Sequence, residues 1–347
     1  MDYWQQSGNI IAFIGLTIIL AISVILLYII QIILHELGHL LFGWVTGYRL
    51  LSFRLFSIVI FKQENQWKIG RLKSPGSIGQ CIMLPSPINY EKQKYILYIS
   101  GGLIVNLLSA MVAMCVSLSN ISISFLTRLR LLIFTLYGFG CLLMNLVLSS
   151  SPRVFNDGSI LKYLKKNSLA LRCYFYQLEI SKKLMDGCSY GNIAQEKIIL
   201  AEGSDLSNPL IGYHKILQYF YHLDRREWIM AKKCLDSFYF FENHLHPILQ
   251  RTLQLEELFF GIITKDGREE KIILSHKYQG RLFLKFRDID WDMNLLRIFV
   301  VYHLNHSSKR LDMNQFYNQI EKVRKHYPYL GEIEFCVNLI RYYIERI

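Results

Sequence analysis

The chain has 347 residues, 52% of them apolar, a formal net charge of +12 and seven cysteines. In the C-terminal half, which holds most of the charge, the basic residues are interleaved with acids and no recognition motif accompanies them, which argues against nucleic acid as a partner. The odd number of cysteines, with no Cys-x-x-Cys spacing, argues against a disulfide framework and for reduced thiols.

Charge is distributed very unevenly. Lys and Arg are missing before Arg49, from Tyr95 to Thr127 and from Leu131 to Pro152, whereas 29 of the 39 basic and 23 of the 27 acidic residues lie from Arg153 onward. The pattern predicts a mainly α protein with two domains: a polytopic membrane core over 1–160 and a soluble helical domain over 161–347, large enough for its own core. Span one is placed at Ile10 to Val45, span two at Tyr95 to Leu118 and span three at Leu131 to Leu148, each near or above the ~20 residues a crossing needs. The first is long: 36 residues rising 1.5 Å each give roughly 54 Å, against a hydrocarbon core of about 30 Å. With no Gly or Pro between Gly15 and Gly38 to turn the chain, one tilted or bent helix is expected, two short spans (four in all) being the alternative. The first nine residues carry no positive charge and no small-residue cleavage site follows the apolar run, which argues that this segment is retained rather than removed as a signal peptide.

At the end of span one stands His35-Glu36-Leu37-Gly38-His39. About one helical turn separates the histidines, so both imidazoles share a face and can bind one zinc ion while Glu36 works beside it. An acid within a span costs about 2.5–3.5 kcal/mol on insertion scales, so three ionisable residues in five call for a compensating partner such as a metal. Catalytic zinc takes three protein ligands and a water, and the pentapeptide supplies two.

Beyond span one, Leu51 to Phe61, Trp67 to Leu72 and Ile78 to Leu84 are rich in β-branched and aromatic residues, with Pro75-Gly76 as a turn. They predict a small sheet or hairpin at the membrane face, with an edge on which an extended substrate can pair. Between Arg49 and Lys94 lie eight Lys and Arg against two Glu, whereas the next loop has only Arg128 and Arg130. By the positive-inside rule the first loop and the C-terminal half are cytosolic, on the same side as the end of span one. That side is where a third ligand is expected, and Asp157-Gly158 follows span three.

In the C-terminal half, apolar residues recur at helical spacing in Leu210 to Phe220, Trp228 to Leu235, Leu253 to Ile263, Met293 to Leu304, Met313 to His326 and Glu332 to Ile347. An antiparallel helical stack similar to tetratricopeptide arrays is expected, serving as a surface for a protein partner or as a lid. The eight histidines there read as surface or core residues, and Ser149 to Ser151 lack the strand-elbow context of a serine nucleophile.

Residues 10 to 165 resemble the site-2 protease family of intramembrane zinc metalloproteases, through His35–His39 in one span, Gly102-Leu-Ile-Val-Asn106 in the next, and Asn145, Pro152 and Asp157-Gly158 after the last. The resemblance implies one zinc ion held by His35, His39 and Asp157, a substrate-orienting role for Asn145, and a helix-packing or site-lining role for Asn106. Both asparagines also read as interhelical hydrogen-bonding residues. The chain departs from the family in having Gly102-Leu103 where Gly-Pro is common, a longer interval from Asn145 to Asp157, and no PDZ-like insertion over 48–94. The expected function is an intramembrane zinc endopeptidase, multi-pass in the cell membrane, with Glu36 as general base. Its substrate would be a transmembrane segment or a small membrane-associated peptide. The alternative is a non-catalytic membrane receptor or immunity protein that keeps the zinc site and binds partners through its helical half.

Overall fold

The computed structural model describes residues 2–72, 77–85, 94–146, 156–265, 293–306 and 313–346. The chain forms two compact units, one of residues 1–48, 94–149 and 156–161, the other of residues 49–93, 150–155 and 162–347. The division near residue 160 follows the change in charge density, but 49–93, expected with the membrane half, groups with the C-terminal half.

The first unit is built on α1 (Asp2–Val45), α2 (Tyr95–Leu118) and α3 (Phe125–Leu146). All three are long and apolar enough to cross a membrane, over Phe13–Val45, Tyr95–Leu118 and Phe125–Leu146. The first long stretch is a single helix, consistent with the lack of Gly or Pro between Gly15 and Gly38. At 33 residues its apolar part extends about 50 Å, longer than a perpendicular crossing needs. The third helix starts at Phe125 rather than Leu131, because its early arginine has a structural use. Arg128 donates from Nη1 to the Ser117 carbonyl at 2.8 Å and from Nη2 to that of Ser119 at 3.4 Å, satisfying acceptors at the end of α2. The outward faces are apolar, with Ile18, Ile22, Ile25, Val112 and Leu136 exposed, as lipid-facing helices require. Between the helices Gln31 is fully buried, and its Nε2 donates to the Phe134 carbonyl at 3.2 Å. Such a polar contact binds helices where lipid removes the hydrophobic drive between them.

The second unit contains a four-stranded antiparallel sheet in the order β3-β2-β1-β4, from β1 (Arg49–Leu55), β2 (Ile58–Gln63), β3 (Gln66–Arg71) and β4 (Gly79–Leu84). Of the small sheet or hairpin expected, the small sheet forms. The run Leu51 to Phe61 breaks into two strands at Phe56, whose φ of 54° reverses the chain, so Phe53 pairs with Ile60 on one side and Cys81 on the other. Glu64 and Asn65, at φ 47° and 65°, make the two-residue turn between β2 and β3, the left-handed pair that suits strand twist. The Pro75-Gly76 turn lies outside the described residues. Leu51, Val59 and Phe61 share a core with Met185 of the helical part, which explains why the sheet belongs to this unit.

The helices are α4 (Asp157–Leu164), within which the chain passes from one unit to the other, α5 (Ser168–Met185), α6 (Pro209–Asp224), α7 (Trp228–Asp236), α8 (Pro247–Thr264), α9 (Met293–His306), α10 (Met313–Arg324) and α11 (Leu330–Ile344). Asn167 and Asn208 cap α5 and α6, accepting from the Ala170 and Leu210 amides, and Pro209 occupies the first helical position of α6. The core is aromatic, with Phe175, Tyr190, Tyr219, Phe259 and Phe335 fully buried. Within it the Arg297 Nη2 donates to both Glu256 carboxylate oxygens, at 2.6 and 2.8 Å, and the guanidinium lies 4.0 Å from the Phe259 ring centroid. All seven cysteines are free.

His214 gives this unit an acid sensitivity. Burial, with Arg172 adding to it, pushes its pKa down to about 4, so the imidazole is neutral in the fold. An unfolded His titrates near 6.5, so between those values the unfolded chain binds more protons. The contribution is complete above about pH 6.5 and is lost as pH falls toward 4, by about 3 kcal/mol over that window. Urea unfolding of the parent chain and of His214→Leu should show this slope in the parent and a shallower one in the variant.

Candidate metal centre

Gln31, His35 and His39 recur every four residues along α1 and therefore share one face of it. That face meets α2 at a crossing made by glycines. A Cβ on Gly38 would lie 2.4 Å from the Gly101 carbonyl oxygen, and one on Gly102 would lie 2.5 Å from Cε1 of the His35 ring. Only hydrogen fits at either position, so the backbones touch and the His35 ring lies against bare helix. Gly38→Ala should therefore force α1 and α2 apart, costing about 1–3 kcal/mol by overpacking. Thermal denaturation in detergent should show the loss, together with weaker metal binding because Gly38 precedes His39.

The same close approach brings α2 groups to both imidazoles. His39 Nδ1 lies 3.0 Å from the Tyr98 carbonyl oxygen, and His35 Nδ1 lies 3.1 Å from Asn106 Nδ2. Tyr98, Gly102 and Asn106 are spaced by four along α2, so one stripe of that helix backs the whole His35–His39 pair.

Asp157 arrives from the other end of the unit. Asn156 caps α4, with Oδ1 accepting from the Ser159 amide at 2.9 Å, while its Nδ2 donates to the Met144 carbonyl at 2.8 Å. The first turn of α4 is thereby fastened to the end of α3. Gly158 allows the fit, since a Cβ there would lie 2.5 Å from the Leu146 carbonyl oxygen. Asp157 is the first helical residue, where unpaired amides and the helix dipole favour a negative charge.

Three atoms converge as a result. His35 Nε2 and His39 Nε2 are 3.2 Å apart, and Asp157 Oδ2 lies 3.1 Å from the first and 3.4 Å from the second. The side chains are mostly enclosed, at 10%, 7% and 16% exposure. Asp157 Oδ2 is buried and makes no directed hydrogen bond. A tetrahedral ion with bonds of about 2.0–2.1 Å sets its ligand atoms roughly 3.3–3.4 Å apart, which is close to this triangle. Two imidazoles whose Nδ1 atoms face neighbouring polar groups, plus one carboxylate, also suit a divalent ion of the zinc type. His35, His39 and Asp157 can thus hold a metal ion.

Glu36 is buried, at 7% exposure, and its carboxylate acts electrostatically on His39. Asn106 is fully buried and touches His35. Asn145 is half-buried, and its Nδ2 donates to the Cys141 carbonyl at 2.9 Å, a bond within α3, so its side chain is not one of the converging groups. Three residues that position the site were not singled out from sequence: Asn156 and the Tyr98 carbonyl, which touch α4 and His39, and Gln31, which ties α1 to α3 one turn before His35. Asn156 was legible as an N-cap residue before an acidic first turn, and Gln31 as a polar residue one turn before His35 in an apolar run. A backbone carbonyl leaves no sequence signal. No family model, curated protein or solved structure matches the chain.

Proposed function

We propose that the protein is an intramembrane zinc endopeptidase, with His35, His39 and Asp157 as zinc ligands and Glu36 as general base and acid. The reading is supported above all by one observation: two imidazole nitrogens from a helix apolar enough to cross a membrane and a carboxylate oxygen from the first turn of α4 converge within 3.1–3.4 Å. Zinc held there supplies Lewis acidity, polarising a peptide carbonyl and acidifying water to a pKa near 7. Glu36 takes a proton from the attacking water as the new C–O bond forms, then delivers it to the departing amine as the C–N bond breaks. Asp157, fixed by its position in the first turn of α4, keeps its charge, and the apolar surroundings of α1 to α3 exclude bulk water from the reaction. The protein acts from the cell membrane as a multi-pass chain with its C-terminal domain in the cytosol, and the helical domain recruits the substrate or a protein partner. The substrate is a transmembrane segment or a small membrane-associated peptide, since a site among spans meets its peptide bonds in the bilayer.

The test is cleavage of transmembrane reporter peptides co-reconstituted with the full chain in liposomes. Cleavage should stop when metal is stripped by a chelator and return with added zinc. Cleavage that survives stripping would overturn the proposal, and absence of cleavage across a broad panel with zinc bound would favour the receptor or immunity reading.

A further inference from the structure

Asn106 meets His35 with the half of its amide that a metal-binding ring does not need. The side chain is fully buried, its Nδ2 is 3.1 Å from His35 Nδ1, and its Oδ1 is buried without a hydrogen-bond partner. His35 Nε2 points at His39 Nε2 and Asp157 Oδ2, so it is the metal-facing nitrogen. A neutral imidazole that gives the Nε2 lone pair to a metal carries its proton on Nδ1, and that N–H must donate. An amide NH₂ facing it would set two donors against each other. The oxygen and nitrogen of an asparagine amide are interchangeable in shape, and no other side-chain hydrogen bond of Asn106 among the described residues fixes its orientation. Turning the amide over exchanges Oδ1 and Nδ2 and places Oδ1 against His35 Nδ1 without changing the shape of the side chain.

We infer that Asn106 is the hydrogen-bond acceptor for His35 Nδ1–H in the zinc-loaded protein, a positioning residue that fixes the ring's tautomer and aims Nε2 at the metal. The inference rests on the zinc site proposed above. It assigns α2 one acceptor per imidazole: the Tyr98 carbonyl for His39 and the Asn106 side chain for His35. The glycine crossing gives it steric meaning, because only with hydrogen at Gly102 does the His35 ring come close enough to α2 to reach Asn106 one turn away. A residue that merely packed α1 against α2 would tolerate an apolar isostere, whereas an acceptor would not.

Zinc and cobalt affinity of the full chain, purified in detergent and titrated against a chromophoric chelator, tests this without reference to activity. Asn106→Leu keeps the branched shape and removes the acceptor, and Asn106→Ala removes it without adding bulk. Both should bind zinc about 10–100-fold more weakly than the parent, the usual effect of losing such a partner, and shift the cobalt absorption spectrum. Asn106→Asp keeps an acceptor oxygen and should stay within a few-fold of the parent. Parent-like affinity in the Leu or Ala variant, or an Asp variant as weak as the Leu one, would overturn the inference while leaving the zinc site intact. A parent chain that binds neither metal would overturn the zinc site itself, and this inference with it.

Discussion

Glu36→Gln should lower the rate of peptide hydrolysis by about 10²–10⁴-fold, the usual contribution of a positioned general base, while one zinc ion still binds per chain. Glu36 is buried beside His35 and acts on His39, yet the converging atoms come from His35, His39 and Asp157. Gln preserves its size and its buried hydrogen-bonding capacity, but a carboxamide does not take a proton from water near neutral pH. Zinc content and initial rates on the same transmembrane reporter, measured on one preparation in liposomes, separate the two effects. Loss of both would make Glu36 structural or a ligand, and loss of neither would place the proton transfer elsewhere.

Arg297→Met should destabilise the helical domain by about 3–5 kcal/mol, because it strands a buried carboxylate. Both partners are almost completely enclosed, at 0% and 2% side-chain exposure, and the guanidinium is stacked on Phe259 with Phe335 and Phe220 within 5.2 and 5.6 Å of its centre. The loss should be mostly recovered in Arg297→Met combined with Glu256→Met, since replacing a buried pair by apolar groups of similar volume is often neutral. Chemical denaturation of the full chain followed by far-ultraviolet circular dichroism compares the three. A single variant as stable as the parent would mean that Glu256 is neutralised or solvated in the fold. Because this pair lies within the second unit, the double variant should also retain the metal affinity of the first.

The three long apolar helices were legible because length and apolarity sufficient to cross a membrane make a long one-dimensional signal: charge is absent from each helix over most of its length, whatever it packs against. Their limits were less legible. Arg128 delayed the expected start of the third helix, although its use is to reach back to the Ser117 and Ser119 carbonyls, a tertiary contact that charge counting does not register. The strands suffered the opposite error. Leu51 to Phe61 is rich in β-branched and aromatic residues from end to end, and the left-handed conformation at Phe56 divides it, a position without the Gly or Asn that usually marks such a turn. Of the metal-site residues, His35 and His39 follow from helical spacing alone. Asp157 came from its place after the last span and from a family resemblance, since spacing gives no direct account of residues more than a hundred positions apart. Chain order also gave no sign that 49–93 would pack with the C-terminal half, because that depends on Leu51, Val59 and Phe61 sharing a core with Met185.

Zinc content and affinity of the purified full chain, measured beside Asp157→Ala, test whether His35, His39 and Asp157 form one zinc site. The parent should carry one zinc ion per chain, and the variant, keeping only two of three ligands, should lose it to a chelator that leaves the parent loaded. A parent that purifies without zinc and takes none up, or an Asp157→Ala chain that holds zinc as tightly as the parent, would contradict the account.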